Sequence, residues 1–373
     1  MRILILTDAW YPQVNGVVRT LDAVATELRA MGEEVRFVTP DLFANMPCPT
    51  YPEIRLALVT PRRVAAIFDD FAPDAIHIAT EGPIGLAGRR ACIARGLVFT
   101  TSFHTRFPEY VNARCHLPVS AGYRIVRWFH GAAHTTMVAT ETLRGELASR
   151  GFGRLALWTH GVDAELFHPG AKDFVEGPRP VWLYVGRVAV EKNIGAFLDL
   201  DLAGTKYVVG DGPLIDRLRR RYPAVRFVGT QSGAALAAYY AAADVFVFPS
   251  RTDTFGNVIL EALACGVPVA AYPVPGPRDV INGCPVGALD VDLARAARRA
   301  LTISPEACRA FALRRTWRDS ALQFLTNLVR VDATADQPCP LRPDPASSVS
   351  SDGGDASSSA ASSSSSVSTT GTA

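Results

Sequence analysis

The sequence predicts an α/β protein built from two successive doubly wound units. Apolar runs of strand length alternate with segments of helical periodicity, as expected where helices cover both faces of a parallel sheet. The alternation is interrupted once, by a segment rich in proline and glycine at 170–180, and then starts again. In such sheets ligands bind beyond the carboxyl ends of the strands, so we expect those loops to face a cleft between the units.

The first unit is expected to span residues 1–168. Gly32 marks the end of its first helix, because glycine tolerates the left-handed backbone that often closes a helix. The predicted elements are strand Arg2–Thr7, a helix over about 17–31, strands Glu34–Thr39 and Asp74–Ala79, a helix over about Ile84–Arg95, and strands Leu97–Ser102, Met137–Ala139 and Ala156–Trp158.

A hinge linker at 169–180 leads to a second unit at 181–331, whose last helix, at about 317–330, is expected to pack back on the first unit. Residues 332–373 are rich in proline and serine and are predicted to be disordered, because they cannot bury enough apolar surface to offset the ordering entropy. The predicted strands of the second unit are Val181–Val185, Lys206–Val209, Val225–Val228, Val245–Pro249 and Pro268–Ala271.

Composition excludes several classes of protein. The chain has 373 residues and a formal net charge of +2, which gives no electrostatic case for nucleic-acid binding. Its 7 cysteines are odd in number and form no C-x-x-C pair, which argues against a disulfide framework or a zinc site and suits a reducing compartment. No apolar run approaches the ~18 residues that span a bilayer. We expect a cytoplasmic protein that at most lies on the inner face of a membrane.

Lysine is rare in this chain, which makes its positions informative. Of 38 basic residues only Lys172, Lys192 and Lys206 are lysines. Lys192 follows Arg187 after a predicted strand, at the start of a helix. Two fixed cations beside a helix N-terminus form a diphosphate site that needs no metal ion. The alternative is an ordinary exposed pair, but a lysine in a sequence that nearly always uses arginine favours function.

Two more loops of the second unit are candidates for a ligand site. Gly210-Asp211-Gly212 forms a tight turn in which glycine lets the backbone approach a ligand, or which simply joins two elements. The loop after 245–249 contains Asp253, Thr254, Phe255 and Gly256, and a helix beginning near Phe255 offers free N–H groups to an anion. Glu261 is expected to point into the same site, or else simply to match the helix dipole.

These motifs resemble those of a known family. The retaining family 4 glycosyltransferases (glycosyl transferase group 1) have motifs similar to three in this chain: G-R-x(4)-K, G-D-G-P and D-x-F-G-x(4)-E-A-x-A-x-G-x-P-V. That family uses nucleotide sugars and has the GT-B fold, two Rossmann-like domains facing a central cleft. The resemblance implies that Arg187 and Lys192 hold the donor diphosphate and that Glu261 binds the ribose. It also implies that Asp253, where the family has glutamate, contacts the transferred sugar.

The first unit fits the same resemblance. P-x-x-N-G-V, with Asn15 and Gly16 before a helix N-terminus, is similar to the branch that glycosylates lipids and to GDP-mannose-dependent α-mannosyltransferases. It implies that Gly16 approaches the donor phosphate and that His104, at the end of a strand, lies near the sugar and the acceptor. The resemblance also covers Glu81-Gly82-Pro83, which reads as a helix start on the acceptor side, and Asp163, which is expected to tie the two domains together; the alternative is that both segments are purely structural.

A basic window at 89–130 has seven arginines and one acid. Its mixture of cations and large apolar groups predicts contact with a lipid headgroup layer through Arg124, Arg127, Trp128 and Phe129. The alternative is a core-facing helix with a solvated basic face.

The predicted activity is transfer of a hexose, with retention, from GDP-mannose, UDP-glucose or UDP-glucuronate to a hydroxyl of diacylglycerol or a glycolipid. No metal and no cofactor are expected. A sugar-nucleotide epimerase of the same fold and a non-catalytic sugar-nucleotide-binding protein remain alternatives. A Rossmann oxidoreductase is disfavoured because no G-x-G-x-x-G follows the first strand.

Overall fold

The computed structural model describes residues 1–13, 15–48, 51–281 and 283–333, and within these ranges it contains two six-stranded parallel sheets. The predicted disordered tail lies outside the described residues from position 334 onwards. No helix in the described part of the chain combines the length and the hydropathy needed to cross a bilayer.

The first sheet has the strand order β2-β1-β5-β6-β7-β8, and β3 and β4 form a separate antiparallel pair that the sequence analysis did not predict. The strands of the first domain, including this separate pair, are β1 Arg2–Leu6, β2 Glu34–Val38, β3 Asn45–Cys48, β4 Tyr51–Ala57, β5 Ala75–Ile78, β6 Thr100–Phe103, β7 Thr135–Val138 and β8 Leu155–Leu157. Its helices are α1 Gly16–Ala30, α2 Pro61–Phe71, α3 Pro83–Arg95, α4 Phe107–Cys115, α5 Val119–His130 and α6 Glu141–Ser149.

Local sequence explains where the helices that face the cleft begin. Asn15 caps α1, since its Oδ1 accepts a hydrogen bond from the backbone N–H of Val18 at 3.0 Å. The carboxylate of Asp8, at the end of β1, accepts from the backbone N–H of Ile84 at 2.8 Å and so caps α3. Gly32 has a φ of +89° just after α1, as the sequence predicted. Helix starts are therefore fixed at the carboxyl edge of the first sheet.

The second sheet has the order β11-β10-β9-β12-β13-β14. Its strands are β9 Val181–Val185, β10 Thr205–Val209, β11 Arg226–Gly229, β12 Val245–Phe248, β13 Val269–Ala271 and β14 Gly287–Leu289. Its helices are α7 Ile194–Leu198, α8 Ile215–Arg221, α9 Gly233–Ala242, α10 Asn257–Ala264, α11 Pro275–Ile281, α12 Leu293–Ala300 and α13 Pro305–Ala312. Two 3-10 turns, Pro40–Leu42 and Val190–Lys192, complete the regular structure of the described residues.

The last helix, α14 Trp317–Asn327, packs on the first domain. Phe324 is fully buried in a cluster that also contains Ile3 and Leu21. Trp158 donates its indole N–H to Ser320 Oγ at 3.1 Å. The chain thus crosses between the domains twice, once through the linker and once before α14.

Candidate active site

The two domains meet at the carboxyl edges of their sheets, and side chains from both sides bond across the junction. Thr254 Oγ1, in the loop after β12, donates to the backbone oxygen of His104 after β6, at 2.7 Å. Asn257, the first residue of α10, donates from Nδ2 to Thr20 Oγ1 on α1 at 3.0 Å. The loops in which the sequence placed the site therefore lie together.

Lys192 and Asp253 form an ion pair between Nζ and Oδ1. Their side chains are only 25% and 14% exposed. Burial lowers the pKa of Lys192, but the charge of Asp253, the charge of Tyr110 and the hydrogen bond to Asp253 together outweigh it, so the pKa lies above its ordinary value and the ammonium stays charged. Tyr110 on α4 bonds to Thr252 beside this pair, and burial raises the pKa of its hydroxyl. Lys192, which is predicted to bind the diphosphate, and Asp253, which is predicted to contact the sugar, therefore bind each other.

The glycines of the G-D-G turn are required by backbone packing. A Cβ on Gly210, where φ is +134°, would lie 2.0 Å from the carbonyl oxygen of Gly186. A Cβ on Gly212 would lie 2.5 Å from the carbonyl oxygen of Val188, and Val188 N–H donates to the Asp211 carbonyl at 2.9 Å. The turn therefore packs directly on the loop that contains Arg187. Contact of these residues with a donor stays a prediction.

Glu261 on α10 is 5% exposed, and both of its oxygens have partners. Oε1 lies 2.8 Å from Nη1 of Arg19 on α1, and Oε2 accepts from the hydroxyl of Tyr240 on α9 at 2.9 Å. Burial raises the pKa of Glu261, while Arg19 and then Tyr240 oppose that rise. Arg19 was not predicted, although a cation near a helix N-terminus opposes the helix dipole and so signals a carboxylate partner.

Asn257 joins the start of α10 to two elements of the first domain. Its Nδ2 donates to Thr20 and also lies 3.5 Å from the carbonyl oxygen of Gly16, so Oδ1 faces Nδ1 of His160 at 2.6 Å. This arrangement places a proton on His160 Nδ1. Burial lowers the pKa of His160 to about 4, so its ring is neutral. Neither Asn257 nor this use of His160 was predicted, because the partners are far apart in sequence.

His104 directly follows β6 at the junction of the two domains, and its contact with the sugar and the acceptor stays a prediction. Burial lowers the pKa of its imidazole well below the ordinary value, and His160, His77 and His130 add to the effect. Within the described part of the chain its buried Nε2 has no hydrogen-bond partner. A neutral ring with an unsatisfied nitrogen is suited to bind a hydroxyl group of a ligand.

The remaining predicted donor residues have structural partners of their own. Thr254 uses its hydroxyl to hold His104, and Asn15 uses its side chain to cap α1. Phe255 is buried, with its ring 4.6 Å from that of His160. Gly256, at a φ of +90°, leads into α10. Donor binding by these four residues stays a prediction.

The expectation that Asp163 ties the domains together is wrong. Its Oδ1 accepts from the backbone N–H groups of Glu165 and Leu166, at 3.1 and 2.9 Å, and so closes a local turn. The backbone bond is made by the neighbouring residue, since Val162 N–H donates to the Arg315 carbonyl at 2.9 Å, and a Cβ on Gly161 would lie 2.3 Å from the backbone of Thr316. Glycine is needed because the chain before α14 passes in direct contact.

One residue of the predicted membrane contact is also misplaced. Arg124, Arg127 and Trp128 are exposed on α5, with Trp128 51% exposed, but Phe129 is 2% exposed and packs in the core of the first domain. The exposed apolar residue beside Trp128 is Ile125, at 66%. Phe129 therefore has no part in a surface contact.

Comparisons with known proteins agree with this architecture. Residues 14–166 match the model of Glycosyltransferase Family 4, and residues 179–302 match the model of Glycosyl transferases group 1. The chain is 32% identical to a GDP-mannose-dependent alpha-mannosyltransferase of Mycolicibacterium smegmatis over 323 residues, which cover 78% of this chain and 85% of that protein. It is 29% identical to the alpha-monoglucosyldiacylglycerol synthase of Streptococcus pneumoniae, with 82% and 79% covered.

Among solved structures, sucrose-phosphate synthase from Thermosynechococcus elongatus superposes with a TM-score of 0.68 at 21% identity, covering 87% of this chain and 97% of that one. At that identity the likeness establishes the fold. The two family models between them match both domains, and the mannosyltransferase relative spans most of the described chain. The chain therefore belongs to glycosyltransferase family 4 and is a hexosyltransferase with the GT-B fold.

Proposed function

We propose that this enzyme transfers a hexose, with retention and without a metal ion, from a nucleoside diphosphate sugar to a hydroxyl group of a lipid. The observation that carries the proposal is the half-buried Lys192–Asp253 pair, which joins the turn after β9 to the loop between β12 and α10. It supplies a permanent cation for a diphosphate and a carboxylate for sugar hydroxyls in one place.

The chemistry follows from where charge develops. As the bond between the sugar C1 and the diphosphate breaks, negative charge grows on the leaving phosphate. Lys192, Arg187 and the N–H groups at the start of α10 would stabilise that charge. Retention by double displacement needs a carboxylate nucleophile, and Asp253 is engaged by Lys192. We therefore propose attack from the same face, in which the departing phosphate oxygen takes the proton of the acceptor hydroxyl.

The donor is proposed to be GDP-mannose, in keeping with the mannosyltransferase relative, with UDP-glucose and UDP-glucuronate as the other candidates. The acceptor is proposed to be diacylglycerol or a glycolipid, in keeping with the relative that makes glucosyldiacylglycerol. The test is incubation of the enzyme with each radiolabelled donor and with extracted bacterial lipids. A labelled lipid whose new linkage is of the α anomer supports the proposal. Release of free sugar only, or of an epimerised donor, contradicts it.

We further propose that the enzyme meets its acceptor at the cytoplasmic face of a membrane, through the exposed surface of α4 and α5. Phe107 and Val111 on α4 are 43% and 39% exposed, and Ile125 and Trp128 on α5 lie beside Arg124. Aromatic and aliphatic groups interleaved with cations suit an anionic headgroup layer.

Sedimentation with vesicles tests this surface. Wild-type protein is expected to bind phosphatidylglycerol vesicles more tightly than phosphatidylcholine vesicles, and Ile125→Ser/Trp128→Ser is expected to lose that binding. Leu313→Ser is the matched control, since Leu313 is 48% exposed after α13 in the other domain. Unchanged binding by the double variant would exclude this surface.

A further inference from the structure

Arg19 takes part in the candidate site although no motif includes it. It lies in the first domain, on α1, one turn beyond Gly16, and its guanidinium pairs with Glu261 on α10 of the second domain at 2.8 Å. The Arg19 side chain is 33% exposed, whereas that of Glu261 is 6% exposed. The pair thus joins the helix that begins at the predicted phosphate glycine to the carboxylate predicted for the ribose.

Both partners need this contact. A buried carboxylate that loses its cation is strongly destabilised and tends to take up a proton instead. The charge of Arg19 is repelled by the positive end of the α1 helix dipole, and an anionic partner offsets that repulsion. Since the two helices belong to different domains, Glu261 has its cation only while the domains are together.

The pair leaves Glu261 able to bind a ligand. An ionised carboxylate has about four acceptor positions. Arg19 occupies one on Oε1 and Tyr240 one on Oε2, which leaves each oxygen a further lone pair for a hydroxyl donor. Two adjacent hydroxyls on a ribose match two oxygens of one carboxylate. A protonated carboxyl would present fewer acceptors and a different geometry.

We propose that Arg19 is a positioning residue, which keeps Glu261 ionised and oriented for the donor ribose only when the two domains are assembled. Donor recognition is thereby coupled to assembly of the cleft through one ion pair. The inference rests on the proposed function, because it takes the ribose of a nucleotide sugar as the ligand of Glu261.

The test measures binding of UDP, GDP and inorganic pyrophosphate by calorimetry between pH 5.5 and 9. Arg19→Met is expected to weaken the tighter-binding nucleotide about tenfold at pH 6, as for loss of one charge-assisted interaction. The groups that face Glu261 are Arg19, Tyr240 and, at the end of its own helix, Cys265. Without Arg19 the pKa of Glu261 rises, so binding should fall as pH falls, with a midpoint at higher pH than in the wild type.

Matched variants separate this role from a general structural one. Arg19→Lys should retain most of the wild-type affinity for the nucleotide. Glu261→Gln should bind the nucleotide more weakly, but the pH at which binding is half lost should not rise. Arg19→Met/Glu261→Gln leaves neither charge of the pair, so it should bind the nucleotide with the same affinity as Glu261→Gln alone. This double variant can still be measured if Arg19→Met folds poorly. Arg36→Met is the control, because Arg36 pairs with Asp70 on the surface of the same domain.

The calorimetric outcomes show whether Arg19 positions Glu261 or contacts the phosphates directly. Weaker nucleotide binding with unchanged pyrophosphate binding supports the proposal. Equal loss of pyrophosphate binding would mean that Arg19 contacts the phosphates directly, and would overturn it. Unchanged nucleotide affinity at every pH would also overturn it. If wild-type protein binds neither UDP nor GDP, the proposed function itself fails, which is a distinct result.

Discussion

Replacing Lys192 tests the core of the candidate site, because the substitution has two consequences of different size. Lys192→Met removes the cation but keeps an apolar stem, and it leaves Asp253 unpaired at 14% exposure. Removing one partner of a fully buried pair costs about 3–5 kcal/mol, and the residual exposure of both side chains here reduces that to about 2 kcal/mol. Loss of a preorganised donor to a developing anion costs a factor of about 10²–10³ in turnover.

Lys192→Met/Asp253→Asn distinguishes these two consequences. Neutralising both partners removes the unpaired buried charge, so we expect the double variant to recover most of the lost stability. It should not recover turnover, because the cation for the leaving group is still missing. The measurements are chemical denaturation and the initial rate with labelled donor and lipid at saturating concentrations. Turnover of Lys192→Met within tenfold of wild type would refute the assignment of Lys192 to the diphosphate.

Three further predictions concern the scaffold around the site. Gly161→Ala should lower the melting temperature by several degrees, because its Cβ would lie 2.3 Å from the backbone at the start of α14, whereas Gly153→Ala, with no atom within 4 Å, should be neutral in a thermal melt. The pKa of buried His77 is lowered to about 3 by burial and by His130. The unfolded chain therefore takes up this proton below about pH 6.5 while the folded chain does not, so the free energy of unfolding falls as pH falls. Between pH 7 and pH 5 the free energy of unfolding of His77→Gln should fall by about 2 kcal/mol less than that of the wild type, as measured by urea denaturation at both pH values. Gly210→Ala should abolish nucleotide binding in calorimetry, since its Cβ would displace the loop that contains Arg187, and normal affinity would show that this packing does not matter.

Motifs predicted the local parts of the site and not its connections across the domains. Lys192 and Asp253 stand in motifs, and their loops follow strands that apolar runs predicted. Arg19 and Asn257 were missed because the residues that they bind across the domains, Glu261 and Thr20, are more than 200 residues away, and the dipole signal at Arg19 does not identify its carboxylate partner. Pairings of this kind depend on how the two domains dock, which a single sequence does not encode in its spacing.

The surface of α5 that is proposed to contact a membrane was predicted from composition, without regard to helical periodicity. On α5 the buried residues Tyr123, Val126 and Phe129 recur at a spacing of three, while Ile125 and Trp128 face outwards. The four residues predicted for membrane contact divide between two faces of one helix, and the contact itself stays a prediction. A helical projection would have assigned Phe129 to the core.

The other two lysines, for which the sequence offered no role, cap backbone carbonyls. Lys172 Nζ donates to the Ala243 carbonyl, and Lys206 Nζ donates to the Leu198 carbonyl at 2.7 Å, at the end of α7. An ammonium on a flexible stem reaches such carbonyl groups more readily than a planar guanidinium does. Each of the three lysines thus binds a specific partner, and of the three Lys192 is the one in the candidate site.

The return of α14 to the first domain determines the order in which this protein can mature on the ribosome. The core of that domain joins Ile3 and Leu21 to Phe324, so its last buried side chain is synthesised some 300 residues after its first. The second domain, by contrast, draws its sheet from one continuous stretch and can close as soon as that stretch emerges. We therefore expect the first domain to complete its core only after the second domain has been synthesised, although domains generally fold from the N-terminus first. Until α14 has been synthesised, the apolar surface of the first domain that it covers stays exposed to solvent and to chaperones.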